Sequence, residues 1–309
     1  MNTKVYVVTG ITSGLGKAIA LALAKTGETV VLVARDADRG AQVVKDISFA
    51  TQNPNLDLQL CDLASLSSVR NLATIINNRY EKIDVLINNA SVYKRDRETT
   101  IDGYETMFAT NHLGPFLLTY LLMDKLLASG SARIINITAP STTQLNFDDL
   151  QSEKNFNPLT AFGASKMANL LFTYELARRM ENRGTRVNAV NPGLMRTSMA
   201  KEAPGPLRLI RWLFSSSPNS AAEDIVKLAT AQEFADTHGK FLRKGKEVEA
   251  AEYALNPAIG LKLWEISEQL TKAPEQGPNY DPTGSIAMFN DKDIPEGLIR
   301  PEEEPTQKE

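Results

Sequence analysis

A glycine-rich turn near the start of the chain limits most strongly what this sequence can fold into. Residues 5–16 read VYVVTGITSGLG, an apolar run that leads into three closely spaced glycines. Glycine lets the backbone turn sharply and approach a pyrophosphate, and a following helix offers free N–H groups and its positive dipole end to the phosphates. We therefore predict a strand, a turn and a helix that bind a dinucleotide through Gly10, Thr12, Ser13, Gly14, Leu15 and Gly16.

Strand-like and helix-like segments alternate along the body of the chain. Short runs rich in Val, Ile and Leu are typical of strands buried on both faces; they are Val5–Thr9, Thr29–Ala34, Leu56–Cys61, Val85–Asn88, Arg133–Thr138 and Arg186–Val190. The helices predicted between them are Leu15–Lys25, Arg39–Ala50, Leu66–Arg79, Gly103–Ala128 and Ser165–Asn182. With right-handed crossovers, this order predicts an α/β fold: a Rossmann-type, doubly wound parallel sheet with helices on both faces.

The composition changes near Ala273. Residues 274–309 hold 6 of the 15 prolines, and their 9 acidic and 3 basic residues give a net charge of −6. An acidic, proline-rich segment without apolar periodicity is typical of an extended tail, although its few apolar residues could strap across the body. We expect residues 1–273 to form one nucleotide-binding domain and residues 274–309 to form a C-terminal tail.

Charge and composition exclude several classes of protein. The 34 basic and 37 acidic residues leave no basic surplus that would bind nucleic acid. One cysteine, Cys61, allows no internal disulfide, and with only two histidines, His112 and His238, it argues against a metal site. No apolar run is long enough to span a bilayer, and strand-like sequence begins at once, without room for a signal peptide. We therefore expect a cytoplasmic protein.

Further motifs resemble those of a known family. The T-G-x-x-x-G-x-G turn is followed by Asp62-Leu63, Asn88-Asn89-Ala90, Asn111 and SKMAN at residues 165–169, which together resemble the short-chain dehydrogenase/reductase family. NHLG at 111–114, LFTYELARR at 171–179, GKF at 239–241 and LWEIS at 263–267 are similar to its branch of retinol-dehydrogenase-like and protochlorophyllide-reductase-like proteins. The resemblance covers roughly residues 4–270 and implies a nicotinamide-dependent oxidoreductase.

The resemblance also implies where the cofactor lies. Asp62 and Leu63 would flank the adenine, Asn89 and Ala90 the adenosine ribose, and Lys166 the nicotinamide ribose. Pro192, Gly193 and Thr197 would border the nicotinamide. Ser91 departs from the family, which has glycine after the alanine, and adds a side chain close to the cofactor.

The end of the second strand favours NADP(H) over NAD(H). Ala34 occupies the place where NAD-preferring relatives carry an acid, and Arg35 follows it. A guanidinium there could clamp a 2′-phosphate in bidentate fashion and stack on adenine. Asp36 weakens this interpretation because it could pair with Arg35 or Arg39, and all three could simply form a solvated loop.

Two catalytic positions depart from the family, which uses an Asn, a Ser, a Tyr and a Lys. Asn111 and Lys166 match, but Phe162 stands where the tyrosine belongs, four residues before the lysine, and Ala139 stands where the serine belongs. Losing a general acid typically costs about 10²–10⁴-fold in rate, and losing an oxyanion donor about 10²–10³-fold. Standard carbonyl and alcohol chemistry should therefore be severely weakened.

Three interpretations of these positions remain open from the sequence. The changes could be an engineered knockout, because Ser→Ala and Tyr→Phe remove only the hydroxyls. The protein could instead be a naturally altered enzyme, for which Tyr93, Thr138 and Ser141 are possible substitute donors. Alternatively, it could be a pseudoenzyme or regulatory protein that binds NADP(H) without redox turnover.

The substrate side is apolar. Residues 197–217 interrupt the alternation and include PGPLRLIRWLF; in the family such an insertion caps the substrate, so we expect a lid over a small apolar or aromatic carbonyl, alcohol or alkene. Contact of this basic, Trp-containing segment with a membrane surface is the less favoured interpretation. Residues 114–127 are rich in leucine, which core burial explains, while relatives use the equivalent helix to form homodimers.

Overall fold

The strands of the described residues form one mostly parallel sheet. The computed structural model describes residues 3–193 and 217–273. Their eight strands lie in the order β3-β2-β1-β4-β5-β6-β7-β8, and only the β7–β8 pair is antiparallel. The bounds are β1 Val5–Thr9, β2 Thr29–Ala34, β3 Leu56–Leu60, β4 Val85–Asn88, β5 Arg133–Ile137, β6 Arg186–Val190, β7 Lys240–Arg243 and β8 Lys246–Glu247.

Helices cover both faces of the sheet, which confirms the predicted doubly wound α/β fold. The helices are α1 Gly14–Ala24, α2 Ala37–Thr51, α3 Leu66–Arg79, α4 Thr106–Phe108, α5 Gly114–Leu121, α6 Met123–Ala128, α7 Pro158–Arg179, α8 Pro218–Thr230, α9 Glu252–Leu255 and α10 Pro257–Thr271. Helix α1 packs between α2 and α8, whereas α7 packs against α10 and α3 against α5. Strands β1 and β4 are buried along their whole length, as a sheet covered on both sides requires.

The chain reverses its direction of travel across the sheet between β1 and β4. From β1 it proceeds outward to β2 and β3, and then returns to place β4 on the other side of β1. Loops that follow β1 and β4 therefore diverge above their carboxyl ends and leave a crevice. Ligands of open α/β sheets bind at such a topological switch point.

The single helix predicted over Gly103–Ala128 is wrong, because this stretch contains several segments. α4 passes into a π-helical turn at Ala109–Leu113, and α5 and α6 meet at Leu122. Pro115 has no N–H to donate to the carbonyl of Asn111. The Gly114 N–H donates to the Ala109 carbonyl, five residues back, where an α-helix would use the carbonyl four residues back. Leu117, Leu118, Leu122 and Leu126 are buried within the chain itself.

Helix α7 begins seven residues earlier than the predicted Ser165 start. Asn157 caps it, because its side-chain oxygen accepts hydrogen bonds from the N–H groups of Leu159 and Thr160. Pro158 occupies the first turn, where a missing N–H costs nothing. Phe162 therefore lies inside the helix, one turn before Lys166.

Two predicted segments lie outside the described residues: the lid at 197–217, apart from Ser217, and the tail at 274–309. Thr197, predicted to border the nicotinamide, belongs to the first of them. Within residues 3–193 and 217–273, no helix has the length and hydropathy needed to cross a membrane. The same residues contain no cluster of three or more His, Cys, Asp or Glu side chains arranged to hold a metal ion.

Candidate active site

The glycine turn is held against the loop that follows β4. Gly10 has φ +74°, and a Cβ added to it would lie 2.7 Å from the Ala90 Cα. A Cβ added to Gly16, in the first turn of α1, would collide with the Gly10 carbonyl oxygen and lie 2.5 Å from Asn89 Nδ2. Glycine is therefore required at both positions, because the backbones of three segments meet there without room for a side chain.

Polar side chains fasten the same junction. The Thr9 hydroxyl accepts hydrogen bonds from the N–H groups of Asn89 (3.0 Å) and Ala90 (3.1 Å). Asn89 Nδ2 donates to the carbonyls of Thr9 (2.8 Å) and Gly10 (3.2 Å). These bonds fix the width of the crevice between β1 and β4.

A cavity of about 240 Å³ occupies this crevice. It brings together most of the residues that the sequence placed at the cofactor: Gly10, Thr12, Ser13, Gly14, Leu15, Gly16, Arg35, Asp62, Leu63, Asn89 and Ala90. Ser91, which the sequence placed close to the cofactor, lines it too, and five further lining residues were not predicted: Thr9, Val33, Cys61, Val92 and Thr110. Pro192 and Gly193 follow the end of β6, at the same edge of the sheet but not in this cavity.

Arg35 lines the cavity from the carboxyl end of β2. Its side chain is exposed and makes no hydrogen bond or ion pair within residues 3–193 and 217–273. Asp36 is engaged elsewhere: its carboxylate accepts from the Arg39 N–H (2.9 Å) to cap α2 and lies 3.9 Å from the Arg39 guanidinium. Of the two pairings considered for Asp36, the structure has the one with Arg39, so Arg35 stays available to an anion.

Lys166 and Asn111 do not line this cavity; they lie behind Ser91, which contacts both, where α7 packs against the π-helical turn. Both side chains are buried. Asn111 Oδ1 accepts from the Val92 N–H (2.8 Å), and its Nδ2 donates to the Val92 carbonyl (3.0 Å) and to Ser165 Oγ (3.0 Å). Burial lowers the pKa of Lys166 to about 8.

Ser91 connects these two residues. Lys166 Nζ donates a hydrogen bond to Ser91 Oγ at 2.7 Å, and Ser91 Oγ donates to Asn111 Oδ1 at 3.2 Å. A direct chain of lysine, serine and asparagine therefore runs along the floor of the site. The departure from glycine at position 91 was visible in the sequence, but its contact with Lys166 was not, because the two residues lie on separate elements.

Phe162 occupies the position of the missing tyrosine with its ring beside the ammonium. Lys166 Nζ lies 5.2 Å from the centroid of the Phe162 ring, within the range of a cation–π contact. Tyr93 packs edge-on against the same ring, with centroids 5.6 Å apart. The structure therefore brings Tyr93 close to the vacant position, and its hydroxyl has no hydrogen-bond partner in the described part of the chain.

The hydroxyls near Ala139 are bonded to main-chain carbonyls. Thr138 Oγ1 donates to the Lys166 carbonyl (3.0 Å) and is buried, while Ser141 Oγ donates to the Gly163 carbonyl (2.8 Å). Either would have to break that bond before it could donate to a substrate. Their observed contacts position α7 against the loop after β5.

Two other residues considered from the sequence are buried. Burial raises the pKa of the Cys61 thiol to about 11, so the thiol stays protonated and unreactive at neutral pH. His112 lies beside Asn111 in the π-helical turn, where its Nε2 is 2.8 Å from Ser267 Oγ. Burial lowers the pKa of His112 to about 3, so it stays neutral.

The buried ammonium gives a testable pH dependence of stability. In the unfolded chain a lysine titrates at about pH 10.4, whereas Lys166 in the folded protein has a pKa of about 8. Between these values the unfolded state binds more protons, so stability rises with pH. Between these two pH values, the free energy of unfolding of the parent should rise by up to about 1.4 kcal/mol per pH unit relative to that of Lys166→Met. Urea unfolding of both proteins across this range measures the difference, and parallel curves would contradict a depressed pKa.

A comparison with protein families finds one match over most of the folded region. The family is described as short chain dehydrogenase, and its model matches residues 4–206. Human retinol dehydrogenase 13 is 40% identical over 278 residues, which cover 86% of this chain and 84% of that protein. Human polyprenol dehydrogenase is 34% identical over 280 residues, which cover 87% and 85%.

Solved structures similar to this chain over most of its length include a short-chain oxidoreductase. A protein of uncharacterised function from Mycobacterium paratuberculosis superposes with a TM-score of 0.70 at 30% identity, over 87% of this chain and 93% of that one. A metagenomic short-chain oxidoreductase in complex with NADP superposes with a TM-score of 0.59 at 25% identity, over 78% and 96%.

Proposed function

The chain belongs to the short-chain dehydrogenase family, in its retinol-dehydrogenase-like branch, and from this we propose that it is an NADP(H)-dependent oxidoreductase acting on a small apolar carbonyl, alcohol or alkene. Membership of this family supports an oxidoreductase that uses a nicotinamide cofactor. The observation that carries the proposal is the crevice between β1 and β4: Arg35, which has no partner among the described residues, lines it, and the buried Lys166 contacts its lining residue Ser91.

The residues present fit a dinucleotide. Gly10, Gly14 and Gly16 leave the backbone of the turn bare, and the α1 N-terminus faces the cavity they line. Thr110 also borders the cavity, and its buried hydroxyl has no hydrogen-bond partner among the described residues, as expected of a group that a polar ligand satisfies. When bound, the cofactor supplies or accepts a hydride; the chain holds and orients it.

The preference for NADP(H) rests on Arg35. We expect Arg35→Ala to raise the Kd for NADPH about 10–100-fold and to leave the Kd for NADH almost unchanged, because a charge-assisted hydrogen bond is worth about 1.5–3 kcal/mol. Titration calorimetry of both cofactors at one ionic strength measures this. Arg243→Ala, which removes an exposed arginine on β7, is the matched control. Equal affinities of the parent for NADPH and NADH would contradict the preference.

An apolar substrate is supported by the relatives and by the sequence of the insertion. The relatives are named for retinol and polyprenol, both apolar alcohols. Residues 204–214, which read PGPLRLIRWLF, supply apolar side chains to the segment that resembles the family's lid. A cytoplasmic location, a homodimer and contact of this segment with a membrane surface remain subordinate proposals.

A second candidate function has its own support. The side chains of Phe162 and Ala139 offer no proton, and Thr138 and Ser141 are bonded to main-chain carbonyls. These contacts favour a protein that binds NADP(H) without turning it over. Asn111, Lys166 and the phosphate turn do not depend on the two missing hydroxyls.

One measurement tests the NADPH binding that both candidates share, and a second separates the two. Thermal unfolding with saturating NADPH should show a raised melting temperature under either one, since a ligand that binds only the folded state stabilises it. Consumption of NADPH with retinal, a steroid ketone, a quinone or an aromatic aldehyde should be detectable only if the protein is an enzyme. Failure of NADPH to raise the melting temperature would refute the proposed function itself.

A further inference from the structure

The Ser91 hydroxyl is the nearest side-chain hydroxyl to the catalytic ammonium. It lies 2.7 Å from Lys166 Nζ, and Ser91 also lines the cofactor cavity. Ser91 has one proton to donate and gives it to Asn111 Oδ1 at 3.2 Å, a longer bond than the one it accepts. A hydroxyl that accepts a short hydrogen bond from an ammonium and donates only a long one can redirect its proton to another acceptor at a small cost in hydrogen-bond energy.

We propose that Ser91 supplies the proton to the substrate oxygen in place of the missing tyrosine, and that Lys166 replenishes it. The proposal rests on the proposed function and adds a catalytic residue to it. It follows from the geometry: position 91 places a hydroxyl where the ammonium reaches it directly, at the end of the cavity nearest Asn111 and Lys166.

The step balances for reduction of a carbonyl by NADPH. The carbonyl carbon takes up the hydride from the cofactor, and the electron pair of the C=O π bond moves to oxygen. The Ser91 O–H bond breaks as the new O–H bond forms on the substrate. An N–H bond of Lys166 then breaks to restore the serine hydroxyl, and a hydronium ion of the solvent reprotonates the neutral amine and leaves water. The sum is one carbonyl, one NADPH and one proton giving one alcohol and one NADP⁺.

Other hydroxyls near the site are less well placed. Thr138 and Ser141 are bonded to main-chain carbonyls, and Ser165 Oγ donates to the Phe162 carbonyl at 2.8 Å while it accepts from Asn111. Tyr93 contacts Phe162 by the edge of its ring, but no hydrogen bond within residues 3–193 and 217–273 joins it to Lys166. Ser91 is therefore the one hydroxyl in the described part of the chain that the Lys166 ammonium contacts directly.

The test compares Ser91→Ala with the full-length parent and with Ser48→Ala, a control on the exposed surface of α2. NADPH consumption is measured with retinal, a steroid ketone, a quinone and an aromatic aldehyde. We expect Ser91→Ala to lower the turnover number about 10²-fold or more, with the Kd for NADPH within about threefold of the parent value. Adding Phe162→Tyr to Ser91→Ala should restore turnover, because a phenol beside Lys166 makes the serine dispensable.

A second readout does not depend on turnover. In protein labelled with ¹⁵N-lysine, the Nζ signal that Lys166→Met removes reports the titration of Lys166. Ser91→Ala should lower the pKa of Lys166, because the hydroxyl accepts a hydrogen bond from its charged form. An unchanged titration would contradict the contact on which the proposal rests.

Each remaining outcome overturns the proposal. If Ser91→Ala turns over like the parent, Ser91 is not the donor and the oxidoreductase function stands; loss of turnover in Tyr93→Phe alone would assign the role to Tyr93. If the parent binds NADPH but reduces none of the four substrates, the donor proposal falls together with the redox part of the proposed function. If the parent binds no NADPH, the proposed function itself has failed.

Discussion

Phe162→Tyr introduced together with Ala139→Ser is expected to raise NADPH-dependent reduction of an apolar carbonyl by about 10²–10⁴-fold if the two hydroxyls were engineered out, and to leave the rate unchanged or lower if Ser91 already donates the proton. Phe162 lies one helical turn before Lys166, and its ring is already 5.2 Å from the ammonium. A phenol on that ring would have its pKa lowered by the neighbouring positive charge. The serine would return a donor to the substrate oxygen at the carboxyl end of β5. The two effects need not multiply, because residues that act as a unit are not additive.

The outcome also separates the three interpretations of the vacant positions. NADPH consumption by the parent, both single variants and the double variant is measured on the same four substrates. A gain of orders of magnitude on one substrate is expected of an engineered knockout. An existing reaction that is unaffected or harmed indicates a naturally altered enzyme. If neither parent nor double variant turns over while both bind NADPH, the binding-protein function is correct.

Gly16→Ala is expected to raise the Kd for NADPH by about 100-fold or more and to destabilise the fold by about 1–3 kcal/mol. The added Cβ would collide with the Gly10 carbonyl oxygen and would crowd Asn89 Nδ2 at 2.5 Å. The collision involves backbone on one side, so a side-chain rotation cannot relieve it. Relief requires the phosphate turn to move away from the loop after β4, which opens the crevice.

Gly40→Ala is the matched control, because Gly40 is also a buried glycine inside a helix. A Cβ there would meet only side-chain atoms, Leu58 Cδ1 at 3.0 Å and Ala34 Cβ at 3.1 Å. The higher helix propensity of alanine offsets part of that contact. Chemical unfolding and NADPH titration of both variants provide the comparison. NADPH affinity preserved in Gly16→Ala would show that the turn is not packed as described.

The fold and the cofactor crevice follow from local patterns, which explains why the sequence predicts them well. Valine-rich runs and the glycine turn report burial and backbone geometry within a few residues. Ends of parallel strands then meet at one edge, so Arg35 and Asp62 reach the same cavity whatever the details of the helices. The assignment of Asp62, Leu63, Asn89 and Ala90 to the cofactor came from the resemblance to the family and not from these local patterns.

The features of the site that the sequence did not predict depend on contacts between residues that are distant in sequence. The bond between Ser91 and Lys166 spans 75 residues, and no pattern in the sequence signals it. The π-helical turn that carries Asn111 ends just before Pro115; the missing N–H of this proline was visible in the sequence, but the stretch was predicted as one continuous helix. The unsatisfied hydroxyl of Thr110 emerges only when its surroundings are known.

The hydrogen bonds of the Thr9 hydroxyl mean that the cofactor site cannot be complete early in synthesis of the chain. This hydroxyl closes onto backbone groups 80 and 81 residues further along the chain, so the phosphate turn has no opposite wall until Ala90 has been made and β4 has docked. Closing so long a loop is costly in chain entropy, and parallel pairing delays it further. A nascent chain that ends before β4 should therefore be unable to retain NADPH, whatever the state of its first βαβ unit. Cofactor retention by ribosome-bound chains of increasing length would then time the moment at which the two halves of the sheet first join.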